Sequence, residues 1–139
     1  CKDAGYTPEQ KHSILKLVYD VYHMIFPDKD FGLWNERLAR ICLLMAIESA
    51  KAGQPEKAIK ELDNMVKHLE NYNSNPEISH TSLLVNRIEA SQGDIKKHSE
   101  ETYGHMYLRY LNNKENEGIF ISVKDDCLYR DIKERLAAL

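Results

Sequence analysis

Hydrophobic residues recur along most of the chain at the three- and four-residue spacing of an α-helix. Thr7-Pro8-Glu9-Gln10 is predicted to open the first helix, because Thr7 can cap it and Gln10 can complete a capping box. Pro27 disfavours continuation beyond Phe26. The apolar positions of this helix form one stripe on one face: Ile14, Leu17, Val18, Val21, Tyr22 and Ile25.

A second helix is predicted over residues 33–52 and a third from Pro55 onwards. The second is apolar on nearly every side, so neighbours should cover more than one of its faces, or one face should line a groove. Gly53 supplies a left-handed stop, and Pro55 suits the first position of the next helix. The asparagine-rich stretch 71–75 should end it. Its predicted buried face consists of Ala58, Ile59, Leu62, Met65, Val66 and Leu69.

The C-terminal part predicts two more helices joined by a short extended linker at residues 119–121. Ser99 is predicted to cap the first, with Asn112 and Asn113 ending it. Residues 78–90 fit either a helix or an extended segment. The last helix should begin after Asp125 or Asp126, run through Leu136 and bury Leu128, Tyr129, Ile132 and Leu136.

These five or six helices, with short loops and no strand–helix alternation, predict an all-α fold of antiparallel helical hairpins. Residues 42–69 match one tetratricopeptide (TPR) unit, which has a small residue in its first helix, a glycine turn and an alanine in its second. Ala46, Gly53 and Ala58 fill these positions, and Leu62 fills a larger contact of the second helix. A plain helical hairpin is the alternative interpretation.

A single unit cannot bury its own apolar faces, and roughly three are needed for a stable stack. We therefore expect residues 1–139 to form one TPR-like domain, an α-α superhelix. The first helix resembles the second helix of a unit whose partner would precede Cys1. The chain is accordingly expected to be a piece of a longer protein.

The first helix of a TPR unit lines a concave groove. Counting from Ala46 predicts a partner or ligand groove with an apolar floor and an arginine at one end, which suits a short peptide or an amphipathic helix. Burial of these residues by a neighbouring helix is the alternative. The predicted groove residues are Arg40, Leu43, Ile47, Ala50 and Lys51.

Composition and charge narrow the function. Of 139 residues, 19 are Lys or Arg and 22 are Asp or Glu, giving a formal net charge of −3, so this segment lacks the basic balance of a DNA-reading domain. No run reaches the ~18 apolar residues of a membrane span. Cys1, Cys42 and Cys127 are widely spaced and form no zinc or redox pair, which suits a reducing cytoplasm.

Candidate chemistry is sparse. The six histidines show no metal-binding spacing and are expected to be ordinary surface residues. No nucleophile elbow or phosphate-binding glycine loop occurs, so we expect no enzyme activity, no metal and no cofactor. Tyr103, Tyr107 and Tyr110 share one helix face, where they serve core or dimer packing, or recognition of a partner peptide.

Three segments carry a family resemblance. They are Ile-Phe-Pro-Asp-Lys-Asp-Phe-Gly at 25–32, followed by Trp34, then Thr-Ser-Leu-Leu-Val-Asn-Arg at 81–87, and the C-terminal stretch 120–136. Together they resemble the C-terminal regulatory domain of Firmicutes transcription regulators that begin with an XRE-like helix-turn-helix. In that family's C-terminal motif an arginine stands where this chain has Lys124, and Pro-Arg where it has Cys127 and Leu128.

The resemblance implies an effector-sensing or dimerisation domain of a bacterial helix-turn-helix transcription regulator in the cytoplasm. Its partner would be a protein or peptide, including a second copy of the chain, and it would meet DNA only through an N-terminal domain absent from this segment. The alternative is a stand-alone tetratricopeptide adaptor that mediates protein–protein interaction.

Overall fold

A computed structural model describes residues 5–74 and 101–139, which form six α-helices, one short 3₁₀ turn and no strand. The predicted all-α class is thereby confirmed. The ambiguous segment 78–90, the predicted cap Ser99 and the family-like segment 81–87 lie outside the described residues. The helices are α1 (Pro8–Ile25), α2 (Trp34–Lys51), α3 (Pro55–Ser74), α4 (Tyr103–Asn112), α5 (Lys114–Glu117) and α6 (Cys127–Ala138).

The predicted capping box starts α1. The backbone N–H of Gln10 donates to Thr7 Oγ1 at 3.3 Å, and the Gln10 side chain accepts the backbone N–H of Thr7 at 3.0 Å. Pro8 occupies the first helical position, where its missing N–H costs nothing. The helix ends at Ile25, just before Phe26 and Pro27, as predicted.

Helices α2 and α3 form the predicted hairpin and the centre of the core. Gly53 adopts a φ of 70°, a left-handed conformation that glycine accepts readily, and Pro55 begins α3. Because the connection is short, the two helices lie side by side along their length. Helix α3 extends to Ser74, within the stretch 71–75 predicted to end it, and Ser74 Oγ stabilises the final turn by donating to the backbone carbonyl of Glu70 at 2.8 Å.

The predicted buried face of α3 is confirmed at all six positions. Ala46 of α2 and Ala58 of α3 are completely inaccessible, as expected for helices that approach closely through small side chains. Around them the core draws on α2, α3, α4, the 3₁₀ turn and α6. Its fully buried large residues include Leu62, Met65, Leu69, Leu111, Phe120, Ile132 and Leu136.

Helix α1 packs in an unexpected orientation. An amphipathic helix usually turns its apolar stripe towards the core, yet most of the stripe in α1 faces solvent. The inner face instead carries aromatic and polar side chains, among them His12, Tyr19 and His23. The large apolar side chains that α1 exposes are Ile14, Leu17, Val18, Val21 and Met24.

The C-terminal part is more helical than expected. Thr102 caps α4 by accepting the backbone N–H of His105 at 3.2 Å, so α4 begins three residues later than a Ser99 cap would place it. Asn113 ends α4 and also caps the short α5. The predicted extended linker at 119–121 is wrong, because Phe120 is buried beside a 3₁₀ turn at Ile121–Val123.

Asp126 is the N-cap of α6, accepting the backbone N–H of Leu128 at 2.8 Å, as one of the two predicted alternatives. Tyr129, Ile132 and Leu136 are buried as expected, but Leu128 is exposed. Its predicted burial is wrong because successive helix positions turn by about 100°, which carries Leu128 away from the face that Tyr129 shares with Ile132.

Arg135 fastens α6 to α3. Its guanidinium donates two hydrogen bonds to the Glu70 carboxylate, both at 2.8 Å, and a third to Asp63 at 2.7 Å. Bidentate pairing of this kind is among the stronger polar contacts in proteins. The hydrogen bonds that Arg135 donates to Glu70 raise the Arg135 pKa further above its ordinary value. These hydrogen bonds of Arg135 help fix the position of α6 relative to the α2–α3 hairpin. Because α4 packs against α6, they help position α4 as well.

Gly104 lies where α4 closely approaches the C-terminal end of α6. A Cβ at this position would lie 2.6 Å from the backbone oxygen of Leu136 and 2.6 Å from Leu139 Cβ. Gly104→Ala should therefore lower the free energy of unfolding, with a steric cost of about 1–3 kcal/mol that exceeds the helix-propensity gain of about 1 kcal/mol. Urea denaturation followed by circular dichroism measures the effect.

Gly118→Ala is the matched control for Gly104→Ala. A Cβ at Gly118 would meet none of the described residues within 4 Å, and the backbone there has a right-handed helical conformation. This variant should be neutral or slightly stabilised. A stabilised Gly104→Ala protein would mean that α4 and α6 do not approach as closely as the structure has them.

Candidate binding cavity between α2 and α4

A cavity of about 600 Å³ separates α2 from α4. This volume lies within the roughly 300–1,000 Å³ of typical ligand sites. Its floor is apolar, with Leu43, Leu44 and Ile47 from α2 and Met106 from α4. The complete lining is Glu36, Arg40, Leu43, Leu44, Ile47, Tyr103, Met106, Tyr107, Arg109, Tyr110 and Asn113.

Three tyrosines form the α4 wall of the cavity. Tyr103, Tyr107 and Tyr110 are four and three residues apart, which places them on one helix face. Tyr103 also packs edge-on against Tyr72 of α3, with ring centroids 5.3 Å apart. Burial raises the pKa of all three phenols, so each remains a neutral hydroxyl able to donate and accept a hydrogen bond.

Charged side chains stand at the edge of the cavity. Arg109 pairs with Glu101 at 2.9 Å, and Glu36 lies 3.6 Å from Arg37. Arg40 is exposed and forms no ion pair with another residue in the described parts of the chain. An anionic group entering the cavity would meet the Arg40 guanidinium.

The structure brings together only some of the residues predicted to form the groove. Arg40, Leu43 and Ile47 line the cavity, whereas Ala50 packs on the core. Lys51 lies outside and pairs with Glu48 at 3.2 Å. Of the five residues predicted by counting from Ala46, the cavity therefore includes three, and the two at the C-terminal end of α2 lie outside it.

The sequence did not reveal the opposite wall. The periodicity grouped Tyr103, Tyr107 and Tyr110, but it could not show that α4 faces α2. Leu44 was also missed, although α2 was predicted to be apolar on nearly every side and Leu44 is one of its apolar residues. Which side of α2 faces α4 is decided by packing between distant segments.

A buried polar cluster holds α1 against the hairpin. The Nε2–H of His12 donates to Glu61 Oε1, and Ser49 Oγ donates to Glu61 Oε2 at 2.8 Å. Lys57 Nζ reaches His12 Nδ1 at 3.4 Å, which favours the imidazole tautomer that carries its hydrogen on Nε2. One carboxylate of α3 thereby joins α1 to α2.

His68 of α3 makes the second connection. The Tyr19 hydroxyl donates to His68 Nε2 at 2.9 Å, while His68 Nδ1–H donates to Asn35 Oδ1 at 2.8 Å. The Asn35 amide in turn donates to the Gly32 carbonyl at 3.0 Å. Burial, assisted by repulsion from His23, lowers the pKa of His68 to about 4.

The expectation that the histidines are ordinary surface residues is wrong for His12 and His68. Both are buried because α1 turns its polar side inward; His105 is exposed, and His98 lies outside the described residues. Ser49, Glu61 and His12 do not form a catalytic triad, since Ser49 is buried and bonds to the carboxylate rather than to the imidazole.

His68 should make stability depend on pH. Its pKa is about 4 when folded and 6.5 ordinarily, so between these values the unfolded chain binds the proton more readily. Stability should therefore fall on acidification below pH 6.5, with a loss from this residue of about 3 kcal/mol by pH 4.

The measurement is the difference in unfolding free energy between the natural chain and His68→Gln across that range of pH. The difference should shrink as the pH falls, because the variant has no imidazole to titrate. Parallel pH profiles would contradict the assignment of this acid sensitivity to His68.

Neither of the two described cysteines forms a disulfide. Cys42 is buried, and burial raises its pKa to about 12, which confirms its expected role as a small buried hydrophobe. Cys127 is exposed and also free. Within residues 5–74 and 101–139, no three histidine, cysteine or acidic side chains come together in a way that could hold a metal ion.

Comparisons with known protein families, curated proteins and solved structures found no match to this chain. None of the described helices has the length and apolar character needed to cross a membrane.

Proposed function

We propose that this chain is the effector-sensing or self-association domain of a bacterial helix-turn-helix transcription regulator, and that it acts by binding a short peptide or a protein segment. The observation that carries the binding role is the cavity between α2 and α4, with its apolar floor, tyrosine wall and exposed arginine. The regulatory context is supported by the resemblance of segments 25–32, 81–87 and 120–136. A TPR-like superhelix is the proposed arrangement of the hairpins.

The cavity favours a peptide over a purely apolar ligand. Apolar side chains can fill the floor at Leu43 and Ile47, while the tyrosine hydroxyls can bond to peptide amides. A carboxylate, either a side chain or a free C-terminus, can pair with Arg40. Aromatic residues and arginine are also the types that dominate recognition surfaces.

A ligand in this position would bridge two parts of the molecule. Helix α4 packs mainly against α6, and α6 is fastened to α3 through Arg135. Helix α2 forms the other wall as part of the hairpin. A ligand that binds best at one separation of α2 and α4 shifts the population towards that arrangement, which is how an effector signal would reach an attached domain.

A stand-alone adaptor is the second candidate. The glycine turn at Gly53 and the buried Ala46 and Ala58 favour it equally, and it would use the same cavity. The two candidates differ only in whether occupancy changes DNA binding by the native protein.

Arg40→Glu and Lys51→Glu form a matched pair for testing the cavity. Both residues are exposed on α2, and both substitutions make the same change of charge, but only Arg40 lines the cavity. The probe is a fluorescein-labelled positional library of apolar pentapeptides with free C-termini, with an amidated library for comparison. Fluorescence anisotropy should show binding that Arg40→Glu weakens at least tenfold, as expected for loss of a charge-assisted pair (~1.4 kcal/mol or more).

Lys51→Glu should bind like the natural chain. Equal binding by both variants, or no binding by any peptide, would overturn the cavity assignment. Charged substitutions at Leu43 or Ile47 are less informative, since both side chains are buried and an unpaired charge there would also destabilise the fold. For the regulatory role, the native gene product should bind DNA upstream of its own gene in a mobility-shift assay, with an affinity that the best peptide changes. A native product without a DNA-binding domain would favour the adaptor.

A further inference from the structure

Glu36 brings an acidic group into the lining of the cavity, and the proposed function gives it no role. Its side chain is only 17 % exposed, and its Oε2 lies 3.6 Å from Nε of Arg37, whose side chain is 60 % exposed. An ion pair this long, with one partner in solvent, contributes little. The carboxylate therefore keeps most of its capacity to accept hydrogen bonds from a cation in the cavity.

Arg40 follows Glu36 by four residues on α2, the spacing at which a glutamate and a following basic residue pair most favourably. Both side chains line the cavity, yet within the described parts of the chain Glu36 pairs only with Arg37 and not with Arg40. Two opposite charges, about 6 Å apart along the helix axis, are thus presented separately to a ligand.

The tyrosine wall follows the same order as these charges. Burial, together with the nearby Glu36 carboxylate, raises the pKa of Tyr103 and Tyr107, whereas burial alone raises the pKa of Tyr110. The Arg40 charge opposes the rise in the pKa of Tyr107. Glu36 therefore lies at the end of the wall that Tyr103 forms, and Arg40 lies beside Tyr107.

We propose that Glu36 and Tyr103 bind the ammonium of a C-terminal lysine of the peptide, while Arg40 binds the carboxylate of that same lysine. The inference rests on the proposed binding of a peptide in the cavity. An ammonium donates three hydrogen bonds and is attracted to the face of an aromatic ring. A carboxylate next to a tyrosine therefore favours a cation over an apolar group of the same size.

The separation of the two charges selects a side chain, rather than the N-terminus, as the source of the cation. The four-carbon stem of lysine places its ammonium about 6–7 Å from its own carboxylate, close to the axial separation of Glu36 and Arg40. The N-terminal amine of an extended pentapeptide lies ~16 Å from the C-terminus, which is too far. The rest of the peptide would extend from Arg40 over the apolar floor at Leu43 and Ile47.

Pentapeptide libraries with free C-termini test the lysine. Each carries fluorescein on its N-terminus, has apolar residues at the preceding positions and ends in lysine, Nε-acetyl-lysine or norleucine. The label removes the terminal amine, so only the lysine library carries an ammonium. Fluorescence anisotropy should show that it binds about tenfold more tightly than the other two. Equal binding by all three would overturn the inference but not the cavity assignment, whereas no binding by any would overturn both.

Unlabelled competitors test the alternative source of an ammonium. A peptide ending in norleucine should compete equally well with a free and with an acetylated N-terminus. If the free amine strengthens its binding as much as a C-terminal lysine does, the N-terminus occupies the Glu36 site and the inference is wrong.

Glu36→Gln and Glu48→Gln form a matched pair. Both glutamates lie on α2, with side chains 17 % and 12 % exposed and a basic neighbour within 4 Å, but only Glu36 lines the cavity. Glu36→Gln should weaken binding of the lysine library about tenfold and leave the norleucine library unchanged. Glu48→Gln should keep the preference for lysine. A preference that both variants lose, or that both retain, would contradict the assignment to Glu36.

Tyr103→Leu and Tyr110→Leu test the aromatic part of the site. Both tyrosines line the cavity, but only Tyr103 lies close enough to Glu36 for the carboxylate to affect its pKa. Tyr103→Leu should reduce the preference for lysine over norleucine about threefold, while Tyr110→Leu should affect both libraries alike. Because the readout is a ratio of two affinities, a general loss of packing does not change it. An unchanged ratio in Tyr103→Leu would show that the ammonium does not bind beside this ring.

Discussion

Leu62→Ala is expected to lower the free energy of unfolding by about 3 kcal/mol, within the range of about 2–5 kcal/mol for a buried leucine. Leu62 is 0 % exposed and lies between the two helices of the central hairpin, where neighbours cannot easily move into the space it leaves. Leucine and alanine have similar helix propensities, so the loss reports packing. Urea denaturation of the two proteins gives the difference directly.

Leu17→Ala is the control for this substitution. It makes the same chemical change in the middle of another helix, but at a position that is 65 % exposed. Its effect at low protein concentration should remain within about 0.5 kcal/mol, as is usual for a surface position. Equal losses at the two positions would mean that the stripe of α1 faces the core after all.

Glu61→Ala should have an effect of similar or larger size. The substitution leaves His12 and Ser49 buried without the carboxylate that both contact. Removing one partner of a buried polar pair typically costs about 3–5 kcal/mol, because the remaining groups have lost water without gaining a replacement. Thermal and urea unfolding should agree on the loss.

Glu134→Ala provides the comparison for Glu61→Ala. Glu134 is an exposed glutamate in α6, so its removal should change stability by no more than about 0.5 kcal/mol. A similarly small effect at Glu61 would show that the carboxylate does not hold α1 to the hairpin.

The sequence predicted the local structure of the central hairpin well. Gly53 readily adopts the left-handed conformation that ends α2, and Pro55 fits only the first turn of α3. The apolar stripe from Ala58 to Leu69 lies on a single face of α3, so only that face can be buried. Each of these signals lies within a few residues of the feature that it predicts. The C-terminal turn at Ile121–Val123 was harder to predict, because distant helices bury Phe120 and Val123 and no local periodic pattern signals their burial.

The orientation of α1 could not be predicted from its own residues. Its apolar stripe is as regular as that of a core helix, yet its other side carries His12 and Tyr19, whose partners Glu61 and His68 lie 49 residues further along the chain. Burying a polar face is favourable only when such partners are in place. No pattern within α1 reveals them, so the periodicity alone favours the opposite orientation.

The candidate cavity shows the same difference between what one helix predicts and what tertiary packing decides. Arg40, Leu43 and Ile47 were found because they follow one another along α2 at helical spacing. Their relation to Tyr107 depends on α4 being fastened to α6, where Gly104 permits a close approach. Residues on one helix are thus predictable as a set, whereas the wall that completes a site depends on tertiary packing.

A double-mutant cycle on His12 and Glu61 tests most directly whether α1 packs through its polar face. The unfolding free energies of His12→Ala, Glu61→Ala and the double variant are compared with that of the natural chain. The contact predicts a coupling energy of about 1–3 kcal/mol between the two substitutions. Additive effects, within about 0.5 kcal/mol, would show that the two side chains do not meet and that α1 does not lie as described.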